Sequence, residues 1–323
     1  MNGHNRKIYM YVVVSLIMCA VNGTATQAKD TFPSKAINII VPFVPGGAMD
    51  IAARTIAPFI SKYLNTSVII NNLPGAGGAI GFTKAYKTNP DGYTLLIWNT
   101  LTPLTEEYRR EVGYKTLNYT FLCAFSVDNP ILVVHPEGNK NFGDFVKQAK
   151  AQSINIGTTG QYTVAGFEGI LMAAELGMKI NWVAYGGGAE SLIALAGKHI
   201  DAVMTLTSSV TALTKAGKII PILIFANKRS IKYPNIPTPG ELGFNNMPIL
   251  YGLTGIVGPP GMDKGKAKIL EEALLKAVKD PDYIALTEKV NSAAEPVVLS
   301  AAAYRQQTTQ LAHVAEKYKT IIK

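Results

Sequence analysis

The sequence predicts an α/β protein built as two lobes, each a mostly parallel sheet wrapped by helices. Three observations carry that prediction. Short β-branched runs alternate with stretches of helical apolar spacing, from Ile37 to Leu96 and again from Ile131 to Phe225. Two glycine-rich turns, Val41–Gly47 and Asn72–Gly78, each follow such a run and open such a stretch. The chain has 323 residues and only two cysteines, Cys19 and Cys123, so buried cores rather than cross-links must hold it, and its length suits two of them.

The elements follow in order. Arg6 and Lys7, the apolar stretch from Ile8 to Val21 and the small, polar run to Ala28 read as a secretory signal peptide, residues 1–28. The mature protein is therefore expected in the periplasm. The apolar stretch is shorter than the roughly 20 residues of a membrane span. Ile17 and Met18 precede Cys19 where a lipid anchor wants small residues, which argues against lipidation. Strands are expected at Ile37–Pro42, Val68–Asn71 and Thr94–Trp98, and helices over about Asp50–Leu64 and Ile80–Lys87. Pro58 inside the first helix predicts a kink or a restart. Cys123, in the run Phe121–Phe125, reads as a buried small hydrophobe.

A second unit starts after Asp128-Asn129-Pro130, with strands at Ile131–His135, Ile154–Gly157, Ile180–Ala184, Ile200–Met204 and Ile219–Phe225. Helices fall between them, and those ending at Gly197 and Gly217 have the usual left-handed cap residue. From Tyr233 prolines punctuate a loop-rich passage around the apolar run Tyr251–Val257. Helices follow over about Asp263–Lys279, Asp282–Val290 and Ala301–Lys323, with Asp263 and Ser300 as N-caps.

The two glycine turns point to an anion cradle. Glycine lets backbone approach a ligand closely, and a turn feeding a helix N-terminus aims N–H groups and the positive end of the helix dipole at a small anion, a carboxylate above all. Other chemistries fit poorly. Gly75-Ala76-Gly77-Gly78-Ala79-Ile80 departs from a dinucleotide fingerprint at Ile80, no Gly-x-Ser-x-Gly elbow is present, and His135, His199 and His313 lack metal-ligand spacing. No catalytic residue, metal or cofactor is expected. Lys and Arg number 31 against 22 acidic residues, yet the cations are scattered without interleaved aromatics, which reads as a solvated face and not a nucleic-acid surface.

Several segments together resemble one family. Phe32-Pro33-Ser34-Lys35, the Val41–Gly47 turn with Asp50, the Asn72–Gly81 turn, Pro90-Asp91-Gly92-Tyr93-Thr94, Val133–Pro136, Val183–Gly187, Lys215–Lys218 and Asn235–Thr238 are similar to the extracytoplasmic solute receptors of the tripartite tricarboxylate transporter, or Bug, family. The likeness covers essentially the whole mature chain. It implies a two-lobed, class II periplasmic binding protein that closes on a small organic acid and delivers it to membrane permease subunits, as a monomer and with no nucleic acid. Lobe I would comprise 29–127 and 231–323 and lobe II 128–230, hinged near Ser126–Pro130 and Ala226–Lys232. A sensing role, in which the closed form meets a signalling partner, is the alternative; an exported enzyme is a remoter one.

The same resemblance implies the site. In the first lobe Phe43, Val44, Gly46, Gly47, Gly75, Ala76, Gly77 and Gly78 would hold a carboxylate by their main chain. In the second, Thr158, Thr159, Gln161, Tyr162, Thr163, Tyr185, Gly186, Gly187 and Thr205 would close over it. This chain departs from the family where Thr205-Leu206 replaces Asp-Asn, where Gly186 replaces the lysine of Tyr-Lys-Gly, and where Ile97-Trp98-Asn99-Thr100 replaces small residues. The first change removes a partner for a ligand amine and the second a partner for another carboxylate. Trp98, Asn99, Thr100 and Tyr162 would then suit a carboxylate with an apolar or aromatic body.

Overall fold

The computed structural model describes residues 32–245, 247–290 and 294–322. The expected leader, 1–28, lies outside them. From Lys35 on, the described residues form one compact unit with two sheets.

The first sheet has six strands in the order β11-β4-β10-β3-β1-β2. Here β1 is Ile37–Val41, β2 Val68–Asn72, β3 Thr94–Asn99, β4 Thr120–Asp128, β10 Gly252–Gly258 and β11 Glu295–Ser300. The second has five, β7-β6-β8-β5-β9, with β5 Pro130–Val134, β6 Ile154–Thr158, β7 Ile180–Ala184, β8 Ala202–Leu206 and β9 Ile220–Ile224. Each is mixed and not mostly parallel. The βαβ alternation read from the sequence produces one parallel triplet per sheet, β2-β1-β3 and β7-β6-β8. The strands that arrive from the other lobe, β5 and β10, add to each triplet antiparallel.

Helix α1 (Ala48–Leu64) follows β1, and α2 (Ala79–Tyr86) follows β2. Helix α1 runs on through Pro58, which lies on the exposed face, so the Arg54 carbonyl it leaves unpaired can meet water. Helix α3 (Leu101–Arg109) after β3, together with strands β4 and β11, was not evident in the sequence. Leu-Thr-Pro-Leu-Thr has little helix propensity of its own; α3 is held by burying Leu101 and Leu104 against Leu250, Leu311 and Phe167. In the second lobe α4 (Phe142–Ala151), α5 (Val164–Leu176), α6 (Gly188–Ala196) and α7 (Thr207–Lys215) cover the sheet, and α8 (Lys264–Val278), α9 (Pro281–Val290) and α10 (Ala301–Lys317) return to the first. No helix among the described residues is long and apolar enough to cross a membrane.

The chain passes between lobes at two neighbouring points. Strand β4 ends at Asp128 and β5 begins at Pro130, while Gly252, the first residue of β10, pairs with Asp128. The return lies later than the Ala226–Lys232 expected from the sequence. The Ile224 N–H donates to Pro237 O, and Phe244, Met247 and Ile249 pack on the second sheet's core with Phe142, Phe145 and Phe225. Proline-rich spacing resembles a linker in one dimension, but burial of Met247, worth about 1.5–3 kcal/mol for a fully buried side chain, and the partial burial of Phe244 and Ile249 keep the segment on the second lobe.

Candidate functional site

In both sheets the first strand of the triplet lies in the middle, and the chain then goes to one side and crosses to the other. The order reverses between β1 and β3 and between β6 and β8. At such a reversal the loops leaving the carboxyl ends of the strands diverge and open a crevice, the usual ligand position in open α/β sheets. The residues singled out in the sequence occupy these ends: one glycine turn after β1 and one after β2, Trp98–Thr100 at the end of β3, Thr159–Thr163 after β6, Tyr185–Gly187 after β7, and Thr205 in β8.

The first turn is bound up by side chains. Asp50, in the first turn of α1 and only 3 % exposed, accepts from the Gly46 N–H at 2.9 Å, from Arg54 Nε at 2.9 and 3.0 Å, and from Asn72 Nδ2 at 2.9 Å. Asn72 also donates to Phe43 O at 3.1 Å, and Arg54 donates back to Asn72 Oδ1 at 3.0 Å. Arg54 above all, helped by the Gly46 and Asn72 hydrogen bonds, holds the Asp50 carboxyl at about 2 in spite of its burial. A carboxylate of the protein thus already takes the Gly46 amide, and the Gly47 amide donates to Val44 O.

The second turn is built differently. Gly75, Ala76, Gly77 and Gly78 all have positive φ, from +49° at Ala76 to +128° at Gly75, a left-handed turn that carries one non-glycine residue. Its internal hydrogen bond runs from Gly78 N–H to Gly75 O. Among the described residues the Ala76 and Gly77 amides have no acceptor. Arg110 donates to Ala76 O and pairs with Glu106 at 2.5 Å, and Glu106 is paired with Arg109 at 2.9 Å. A Cβ on Gly77 would lie 2.9 Å from Glu106 Oε1. The turn therefore presents open amides beside a cluster of two arginines and one glutamate. Phe43 joins the two turns, its ring edge-on to Phe82 at 6.3 Å and against Gly78.

Trp98 is fully enclosed. Its indole N–H donates to Tyr304 Oη at 2.6 Å, and Phe82, Tyr119 and Phe121 surround it. Thr100 is also fully buried and donates within the first lobe, to Leu253 O or Tyr304 Oη, both at 3.1 Å; Asn99 is 6 % exposed and lies against Gly252. A large ring at the end of a central strand is covered from both faces of the sheet, so these three side chains serve the lobe's own packing.

On the second lobe Thr163 caps α5, its hydroxyl donating to Gly160 O at 2.8 Å and accepting the Gly166 N–H at 3.2 Å. Thr158 and Thr205 are buried. Gln161 is exposed, and Tyr162 and Tyr185 are half-buried. The Gly186 N–H donates to Glu190 in the first turn of the following helix, α6, at 2.9 Å, whereas Gly187 has open space where a Cβ would be. The two lobes meet here: Tyr162 O accepts from Thr105 of α3 at 2.8 Å, and the Arg109 guanidinium lies 4.9 Å from the Tyr162 ring centroid.

Buried acids mark both chain crossings. Asp128 accepts from Thr207 Oγ1 at 2.7 Å and from the Ser208 amide at 3.1 Å, so the first crossing is tied to the start of α7. Burial raises its carboxyl, against the lowering by those hydrogen bonds. Glu168 of α5 is fully buried, accepts the Leu250 N–H at 2.7 Å and, among the described residues, has no partner for Oε1; burial lifts it well above the usual carboxylate range. Among the described residues no group of acidic, histidine or cysteine side chains has a metal-holding arrangement.

Arg54, Asn72, Glu106, Arg109 and Arg110 did not stand out in the sequence as site residues. The spacing Glu106-x-x-Arg109-Arg110 is the i, i+3, i+4 pattern of a helical ion-pair cluster and was a legible signal, but no helix was expected there.

The family model described as "Tripartite tricarboxylate transporter family receptor" matches residues 52–323. A curated protein of Agrobacterium vitis, the UPF0065 protein in the TAR-I ttuE-ttuC' intergenic region, is 29% identical over 276 residues, 84% of this chain and 80% of its own. A solved structure titled "Structure of a periplasmic transporter" superposes with a TM-score of 0.78 at 26% identity, over 88% of this chain and 96% of the other. A Rhodopseudomonas palustris protein solved with adipate superposes with a TM-score of 0.78 at 22% identity, over 90% and 98% of the two chains, which shows the shared fold.

Proposed function

The chain belongs to the tripartite tricarboxylate transporter receptor family, the Bug solute receptors, and from that premise we propose that it captures one small organic carboxylate between its lobes and hands it to membrane permease subunits. The observation that carries this reading is the left-handed turn Gly75–Gly78, with the unclaimed Ala76 and Gly77 amides beside Arg109 and Arg110. Successive unclaimed N–H donors in a turn, beside a net positive cluster, favour an anion the size of a carboxylate. The adipate-bound relative supports the ligand class. We read the protein as a receptor without catalytic activity, acting as a monomer in the periplasm.

The ligand's body faces Phe43, Tyr162 and Tyr185, and no lysine stands at Gly186 to meet a second charge. This favours a monocarboxylate with an apolar or aromatic remainder. A thermal-shift screen tests both levels. Carboxylates should raise the melting temperature while the matching amides leave it unchanged; a ligand at a hundred times its Kd contributes about 2.7 kcal/mol. Stabilisation by amides as strongly as by acids would remove the carboxylate reading. Stabilisation by short, fully polar di- or tricarboxylates alone would remove the apolar body.

A further inference from the structure

We infer that Arg109 is a positioning residue for ligand capture, a detachable latch that ties the cradle turn of the first lobe to the ligand loop of the second. The inference rests on the reading that the lobes close over an anion held at Gly75–Gly78. The contacts form one continuous path. Arg110 holds Ala76 O and pairs with Glu106, Glu106 lies against Gly77 and pairs with Arg109, and Arg109 covers the ring of Tyr162 in the other lobe. Thr105, one turn earlier on α3, reinforces the junction by donating to Tyr162 O.

What makes this a latch and not a weld is that each donor has a second partner on its own helix. The Thr105 hydroxyl, 2.8 Å from Tyr162 O, also lies 3.0 Å from Thr102 O and 3.3 Å from Leu101 O. Arg109 keeps both Glu106 oxygens at 2.9 Å whatever Tyr162 does. Opening therefore leaves no buried donor unsatisfied; the polar cost of parting is confined to the cation–π contact and one exchanged hydrogen bond, beside the apolar contact of Leu101 and Leu104 with Phe167. The crossings behave otherwise, since among the described residues the Leu250 amide has Glu168 alone as acceptor.

The test needs no ligand and so stands apart from the carboxylate reading. Spin labels at Lys147→Cys in α4 and Lys268→Cys in α8 report the distance between lobes, while Cys123, fully buried, takes none. In Arg109→Ala and in Tyr162→Leu the ratio of molecules at the parent's main distance to all others should fall about fivefold, the effect of losing roughly one cation–π contact. Tyr162→Phe keeps the ring and should keep the parent distribution. An unchanged distribution in Arg109→Ala, or a Tyr162→Phe that shifts as far as Tyr162→Leu, overturns the latch. Should Arg109→Ala fail to fold, the Phe and Leu pair at Tyr162 decides alone.

Discussion

The two glycine turns of the first lobe look alike in sequence and differ in what they do with their amides. The turn after β1 has its two glycine amides claimed from within: Asp50 takes the Gly46 N–H, Val44 O takes the Gly47 N–H, Asn72 donates to Phe43 O, and Arg54 closes the network. The turn after β2 stays left-handed for four residues and leaves Ala76 and Gly77 open, steadied from outside by Arg110. One is a rigid wall and the other a docking point. A glycine-rich turn after a strand is therefore not by itself an anion site; what matters is whether a neighbouring side chain has already taken the donors.

The largest effect should come from breaking the open turn. Gly77→Leu places a side chain 2.9 Å from Glu106 at a φ of +61°, and ligand affinity should fall by at least about a hundredfold while circular dichroism keeps the parent's shape. Asp50→Ala dissolves the wall. Urea unfolding should show a loss of about 2–3 kcal/mol, with affinity falling several-fold as the first turn loosens. Because Asp50 is held at about 2 against an ordinary 3.8, its contribution is complete above about pH 5 and is lost as pH falls toward 2; the variant should lack that part of the parent's acid transition.

Trp98→Phe separates core from cleft. Loss of the indole bond to Tyr304 should cost about 2 kcal/mol in thermal unfolding and leave affinity within about twofold. Gly46→Ala sharpens the contrast with Gly77. Its φ of +79° strains an alanine by about 1 kcal/mol, but nothing lies within 4 Å of the new Cβ and the amide already serves Asp50, so titration calorimetry should find affinity changed less than threefold.

The smallest effect lies at the return crossing. Glu168 is raised well above its ordinary 4.5, so the folded state loses stability as pH climbs past 4.5 and the buried carboxyl is pressed to ionise. Glu168→Gln keeps an oxygen for the Leu250 amide and removes the proton. Its melting temperature between pH 5 and 8 should be flatter than the parent's, by the equivalent of about 1 kcal/mol.

Local signals were legible where one segment sufficed to produce them. Asp263 and Ser300 read as N-caps and Gly197 and Gly217 as stops, because capping depends on neighbours a few residues away; the helices do stop there, although at the first stop Lys198 and not Gly197 takes the left-handed conformation. Helix α3 was not legible, since its stability comes from Leu250 and Leu311, far along the chain. The placement of Trp98 was ambiguous for the same reason, as Tyr304, which receives its indole N–H, lies 206 residues away.

The sequence by itself determined the α/β alternation, the paired turns and the family, all of which are written in contiguous residues whose chemistry acts over one or two turns of backbone. Only the tertiary structure decided that Asp50 takes the first turn's amide with Asn72's help, that Glu106 and its arginines stand behind the second, and that the chain returns between lobes at Leu250–Gly252. Those outcomes depend on which distant side chains meet once the sheets are buried, and hydrophobic burial, being non-directional, leaves no local mark of its partners in the chain.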